Sequence, residues 1–351
     1  MDLGLDPSPA VSCAVTSSDV VDVAFLNDGV SFVTLSADGE TGLTLWAPAE
    51  FEPFSPENSL AFVDADSSAL LVLPHDLVAI GLSDGTLAVA DASKTSKIDY
   101  RFRTKKPLTA EITSLCTLGS ESGKAVSGSA DGTIMVVDLA SETATKLASA
   151  GVGAKSMCSI SGGTMICVGH MAGRLTLWDT REKLMNGGNA RPTSTILLES
   201  NRDSVTSISA HPAQANMFAF STESGSIGFV DVKANGRAVI VEGISGGEEL
   251  TEITKVQFHP THGENLFVSS VDGKLKHYDA SRAQVYSFGA TLPVADRQVS
   301  WLLSSLHDSL RTTEIFPKSG TYPVSFDVLG NSVVAAYNTG IVKCIDCIQL
   351  S

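Results

Sequence analysis

Short runs in which apolar residues fall at every second position recur along the whole chain. Residues 253–279, ITKVQFHPTHGENLFVSSVDGKLKHYD, show the unit most clearly. Val256 and Phe258 alternate with polar neighbours, which is the period of a strand, because successive side chains leave it on opposite faces. The stretch predicts three strands: Ile253–His259, Asn265–Ser270 and Lys274–Asp279. The turn before the third is Val271-Asp272-Gly273. Asp-Gly between two strand-like runs is a strong hairpin signal, since the turn needs a positive φ that glycine adopts at little cost.

The same unit returns at a regular interval. Its last strand reads Gly, any residue, Leu/Ile/Val, any three residues, Asp. That pattern runs from Gly85 to Asp91, Gly132 to Asp138, Gly173 to Asp179, Gly225 to Asp231, Gly273 to Asp279 and Gly340 to Asp346. A weaker copy, Thr41 to Ala47, comes first. The anchors start at 41, 85, 132, 173, 225, 273 and 340, so the spacings are 44, 47, 41, 52, 48 and 67. His-Pro precedes two of them at the same offset, as His211-Pro212 and His259-Pro260. A period of about 40–45 residues is that of four-stranded propeller blades.

Trp178-Asp179-Thr180-Arg181 and the pairs Val137-Asp138, Val230-Asp231, Tyr278-Asp279 and Ile345-Asp346 resemble the WD40 family. The resemblance implies an all-β, seven-bladed β-propeller over residues 1–351, closed by pairing of an N-terminal strand, Val11–Val15, with the last blade. One feature departs from the family. The Gly-His dipeptide before each blade is missing, so the His–Ser–Asp–Trp hydrogen-bond network is expected to be incomplete, with apolar packing carrying more of the stability.

Three strands per blade are readable, beginning with Val20–Phe25, Ser31–Leu35 and Leu43–Trp46. An acidic, proline-bearing loop is expected at Ala47–Asn58. The long last spacing predicts an insert at 282–323, within which the apolar run Val299–Leu306 suits a strand or a short helix. The order Phe258 to Ser281, then Ser300-Trp301-Leu302, then Phe326-Asp327-Val328-Leu329-Gly330, is similar to the small WD-repeat nucleoporins of the Y-shaped outer-ring scaffold of the nuclear pore. That resemblance is good over about 165–345 and only generic before it. It implies a scaffold protein supporting pore assembly and nucleocytoplasmic transport. Its partners would be other outer-ring nucleoporins, chiefly a helical-solenoid one. Its place would be the nuclear envelope, with kinetochore attachment in mitosis.

Composition narrows the classes. The hydrophobic fraction, 43%, is ample for a packed interior, yet 351 residues exceed the usual size of one core. The net charge of −15 argues against nucleic acid and against an anionic membrane surface as partners. No apolar run approaches the length of a membrane-spanning helix, and the N-terminus MDLGLDPSPA lacks the pattern of a secretory signal. The six cysteines are scattered and no glycosylation sequon occurs, so reduced thiols and a cytosolic or nuclear address are expected.

Candidate chemistry is sparse. Cys344-x-x-Cys347 has no second pair to complete a zinc site, and its members are three apart on a strand, on opposite faces. Gly151 to Ser156 has Ala154, not glycine, before Lys155 and a strand after it, which a phosphate-binding loop does not. His307-Asp308 has no identifiable nucleophile beside it. No enzyme activity, cofactor, metal or small-molecule substrate is expected.

The interaction candidates are Trp301, the basic cluster Arg101, Arg103, Lys105 and Lys106, and Arg181. Trp301 is an interface anchor if exposed and core if buried. The basic cluster reads as a solvated outer strand or as a docking patch for an acidic partner. Arg181 completes a Trp-Asp-x-Arg box like that of WD proteins serving as substrate receptors of cullin-type ubiquitin ligases, which is the alternative function. Ser8-Pro9 and Ser55-Pro56 fit turns and proline-directed phosphorylation. Asp91, Asp138, Trp178, Asp179, Asp231, Asp279 and Asp346 are the structural repeat signature.

Overall fold

The computed structural model describes residues 11–16, 18–38, 42–47, 55–62, 64–94, 97–104, 110–119, 123–181, 191–198, 203–232, 239–245, 251–281, 301–302 and 310–345. They form 28 strands, grouped by hydrogen bonding into seven antiparallel sheets of four.

Strand β1 (Val11–Val15) stands apart in sequence from the sheet it joins. Blade 1 is β2 (Val20–Phe25), β3 (Phe32–Ser36), β4 (Leu43–Ala47) and β5 (Ser55–Leu60). Blade 2 is β6 (Ser67–Leu73), β7 (Leu77–Leu82), β8 (Leu87–Lys94) and β9 (Lys97–Arg103). Blade 3 is β10 (Ile112–Thr117), β11 (Lys124–Ser129), β12 (Thr133–Asp138) and β13 (Thr143–Ser149). Blade 4 is β14 (Ala154–Ile160), β15 (Met165–His170), β16 (Arg174–Asp179) and β17 (Ser194–Leu197). Blade 5 is β18 (Val205–Ala210), β19 (Met217–Thr222), β20 (Ser226–Asp231) and β21 (Val239–Ser245). Blade 6 is β22 (Ile253–Phe258), β23 (Asn265–Ser270), β24 (Leu275–Asp279) and β25 (Arg311–Phe316). Blade 7 is β26 (Pro323–Leu329), β27 (Ser332–Tyr337) and β28 (Ile341–Ile345), completed by β1 with Val11 opposite Ile345 and Val15 opposite Ile341.

The first three strands of each blade fall where the pattern put them, to within one or two residues at most ends. The expected loop at Ala47–Asn58 is corrected: Ser55–Leu60 is β5, with Ser55 opposite Ala47 and Leu60 opposite Leu43. Its sequence, SPENSL, lacks alternation because an outer strand is held by its hydrogen bonds more than by burial. Likewise β25 lies within the stretch 282–323 and serves blade 6 as its outer strand. Trp301 and Leu302 are in a turn, and the remainder of Val299–Leu306 lies outside the described residues.

The interior is seven wedges, one between each pair of neighbouring blades. Val33, Leu45, Ile80 and Ala90 join blades 1 and 2. Val126, Ile134, Ile166 and Trp178 join blades 3 and 4, and Phe32, Trp46, Val334 and Val342 join blades 7 and 1. This is how a chain too long for one core stays compact.

Polar stitches fix the blades around the ring. Each first strand carries a register shift around one residue: Val21, Ser68, Thr113, Lys155, Thr206, Thr254 and Val324. A bulge of this kind leaves one residue out of the ladder. The Ser68 hydroxyl donates to the Ile112 carbonyl (2.5 Å), Thr113 to Ala154 (2.5 Å) and Thr254 to Pro323 (2.8 Å), each in the next blade. Further along, the Ile208 amide donates to Ser156, the Phe258 amide to Ser209 and the Phe25 amide to Asp327.

Candidate interaction surface

The repeat signature is structural. Each anchor glycine has φ between 61° and 91° in the turn before a third strand, as at Gly173 and Gly225. The closing Asp caps the turn after it. The Asp138 carboxylate accepts the amides of Ser141 (3.1 Å) and Ala140 (3.0 Å), which hold its pKa below the ordinary carboxylate value. Asp91 accepts Ser93, Asp179 accepts Arg181 and Asp279 accepts Ser281 in the same way. Asp231 ends β20, and Asp346 lies outside the described residues.

The tryptophan network is rebuilt from residues inside the blades. Trp178 Nε1 donates to Thr176 Oγ1 (2.9 Å), and His170 Nε2 meets the same oxygen at 2.8 Å. His170 Nδ1 faces only the carbonyls of Val152 and Gly153, so it carries the proton and Nε2 accepts from the threonine. In blade 1, Trp46 Nε1 donates to Thr34 Oγ1 at 2.9 Å. Histidine arrives here from the end of the second strand, in place of the Gly-His segment before a blade.

Arg181 is exposed, yet its guanidinium lies across the Asp179 carboxylate. Nε is 2.9 Å from Oδ1 and Nη2 is 2.6 Å from Oδ2. Such a two-pronged pair inside one turn is a local clamp. Arg103, on β9, is paired with Asp84, and its Nε donates to Thr86 Oγ1 at 2.5 Å. Arg101 lies on the same strand, while Lys105 and Lys106 lie outside the described residues. The structure therefore ties Arg103 and Arg181 to their own blades.

Of the two readings of Trp301, the structure takes the core one and not the interface anchor. Trp301 is 0% exposed and sits in the wedge between blades 5 and 6. Its ring stacks on Phe229 (centroids 5.1 Å apart) and meets Phe258 edge-on (5.7 Å). Nε1 donates to the Gly263 carbonyl at 2.8 Å, which satisfies the polar end of the buried indole. Of the other sequence candidates, Cys344 is buried on β28 and Cys347 and His307-Asp308 lie outside the described residues. Among the described residues no group of three or more His, Cys, Asp or Glu is placed to hold a metal, and no helix is long and apolar enough to cross a membrane.

The two His-Pro dipeptides have a job that sequence reading missed. Each histidine caps its own turn and reaches the next blade. His259 Nδ1 accepts the amides of Thr261 (3.2 Å) and His262 (3.1 Å), so Nε2 carries the proton and donates to the Gly330 carbonyl (2.8 Å). His211 Nδ1 accepts the Gln214 (2.9 Å) and Ala213 (3.2 Å) amides and bonds the Gly263 carbonyl from its other side. Burial lowers the pKa of both rings. On the same face, Asp76 accepts the backbone and side-chain amides of Asn27, joining blades 1 and 2. The repeated dipeptide was visible in the sequence, but its partner glycines were not.

No family model matches the chain. A chain in the structure titled "Crystal Structure of Mitotic Checkpoint Complex" is similar with a TM-score of 0.70, over 97% of this chain and 95% of that chain, at 16% sequence identity. At that identity the likeness speaks for the fold alone. This is a seven-bladed WD40-type β-propeller. Among curated proteins, the propeller is similar to nucleoporin Nup43 of Homo sapiens, 32% identical over 109 residues, and to nucleoporin Nup43 of Mus musculus, 29% identical over 109 residues. Each match takes in 31% of this chain and 26% of the relative's length. Fold and similarity together support a WD-repeat scaffold or interaction role.

Proposed function

We propose that this propeller is a peripheral, non-catalytic subunit of the Y-shaped outer-ring scaffold of the nuclear pore, held there by a helical-solenoid nucleoporin. The similarity to Nup43 carries the reading. The ring of stitched blades supports it: a surface fixed by inter-blade hydrogen bonds docks without rearrangement, which keeps the ordering cost of association low. The work done is rigid docking, with a mixed polar and apolar patch buried and no bond made or broken. Its place is the nuclear envelope in interphase, and attachment at the kinetochore in mitosis belongs to the same proposal.

Affinity purification of the tagged protein from nuclear extract, with mass spectrometry of co-purifying chains, tests this. Outer-ring nucleoporins in stoichiometric yield, with a nuclear-rim signal for the tag, are the expected result. Recovery of cullin-ligase adaptors without nucleoporins, lost on Arg181→Ala, would overturn it in favour of a ligase receptor.

A further inference from the structure

We infer that Cys13, with Lys343 and Tyr337 beside it, is a modification site at which the exposed thiol takes up a small acidic thiol of the glutathione class by disulfide exchange. The inference goes beyond the scaffold reading and does not depend on it.

The register of blade 7 builds the site. Cys13 on β1 lies directly opposite Lys343 on β28, and Lys343 lies opposite Ala335 on β27. Residues opposite one another in an antiparallel pair share a face, with Cβ atoms about 5 Å apart. Tyr337 is two residues on from Ala335, so it belongs to that face too. The face is turned toward blade 6, where Phe316 of β25 packs. Lys343 Nζ stands 4.2 Å from the centre of the Tyr337 ring and 5.3 Å from that of Phe316. Attraction to the two rings holds the ammonium in place.

Three features of this cluster point to a ligand. The thiol is accessible: Cys13 is exposed, and Val15, on the same face, is 73% exposed. Cys116, Cys158, Cys167 and Cys344 are all buried. Lys343 has no carboxylate within ion-pair distance among the described residues, so its charge is open to a carboxylate from outside. Tyr337 is 0% exposed, yet its hydroxyl has no hydrogen-bond partner. A buried hydroxyl left in that state is rare and costly. Burial first, and then the nearby Cys13 thiol, push its pKa up, which places the unused donor in the same cluster as the thiol and the ammonium. An exposed nucleophile, an unpaired cation and an unused donor together suit a ligand that carries both sulfur and carboxylate.

The exchange needs only the disulfide form of that ligand as oxidant. Cys13 gives its proton to solvent, and the thiolate attacks one sulfur of the symmetric disulfide. The new bond to Cys13 sulfur forms as the ligand's S–S bond breaks. The departing thiolate takes the electron pair and picks up a proton. Cys13 is oxidised and one ligand thiol leaves reduced. The adduct adds carboxylates to the strand that closes the ring.

The test exposes the native full-length protein to oxidised glutathione and, separately, to the uncharged bis(2-hydroxyethyl) disulfide. Adducts are read by intact mass and peptide mapping, and each rate is divided by that of a synthetic peptide of residues 9–17. The expected result is a glutathione adduct on Cys13, with the native protein favouring the acidic reagent about fivefold over the uncharged one. Lys343→Gln should abolish that preference, Lys343→Arg should restore it, and Tyr337→Phe should lower it. A variant that merely loosens β1 speeds both reagents alike, so the ratio still reports recognition. No adduct on Cys13, no preference for the acidic disulfide, or a preference unchanged in Lys343→Gln would overturn the inference. None of these readouts involves a nucleoporin, so the site and the pore assignment stand or fall separately.

Discussion

His259 donates from Nε2 to the carbonyl of Gly330, 71 residues away, at 2.8 Å, while its Nδ1 holds the turn that carries it. One side chain thus sets the shape of one blade's turn and fastens it to the next blade.

His259→Ala leaves two turn amides and one carbonyl without that partner, in a position only 1% exposed. The expected cost is roughly 2 kcal/mol, from buried polar groups losing their hydrogen bonds. Differential scanning calorimetry should record a melting temperature several degrees lower. His259→Asn keeps an acceptor for the turn but cannot span to Gly330, so it should recover part of the loss. Equal stability of wild type and the alanine variant would show that the bond contributes nothing.

Gly263 tests the neighbouring joint. A Cβ there would lie 2.1 Å from His211 Cε1, far inside contact distance. Gly263→Ala should displace the ring, weaken its bond to the Gly263 carbonyl and disturb Trp301, which uses the same oxygen. Gly320→Ala is the control, because a Cβ there meets nothing within 4 Å. Thermal melts of the two should differ clearly, with the control near wild type.

The histidines predict a pH response. Burial lowers the pKa of His170, His211, His259 and His277 below the ordinary 6.5. A histidine depressed in the folded state binds its proton more readily when unfolded. Its stabilising effect is therefore complete above about pH 6.5 and fades as the pH falls from there through the folded-state value. Melting temperature should be level from pH 7 to 8 and decline below about 6.5. His259→Gln should flatten the decline; an unchanged slope would assign it to other groups.

Much of this architecture was legible in the chain. The glycine of each anchor must adopt positive φ, and the strand after it can be buried on both faces, as the adjacent Leu177 and Trp178 of β16 and Phe229 and Val230 of β20 are. Two strong local demands at a fixed offset leave a repeat that survives weak sequence similarity. Outer strands make no such demand. In β13 the burial alternates poorly, and in β5 a proline is tolerated opposite Trp46 because one edge is free. The candidate surface was harder to read. Arg103 and Arg181 look available as residue types but are engaged by Asp84 and Asp179 through turn geometry that residue type does not reveal.

Trp301 offers a spectroscopic check. All three tryptophans, Trp46, Trp178 and Trp301, are at most 4% exposed. Native emission should be blue-shifted and resistant to iodide quenching. Trp301→Ala should cost about 3–5 kcal/mol, as a large side chain removed from a core does. A red-shifted, iodide-quenched component lost in Trp301→Phe would place the indole at the surface instead.

The pairing of Val11 with Ile345 sets the order of events during synthesis. Strand β1 meets its partner only after residues 341–345 have been made. Until then blade 7 lacks its outer strand and the ring is an open arc with an exposed sheet edge. Local hairpins within each blade form early, because their loops are short, whereas the closing contact spans nearly the whole chain and bears the largest loop entropy. A nascent arc of this kind is the stage at which chaperones matter, and translation that stalls before residue 341 yields a product that folds in pieces but never shuts.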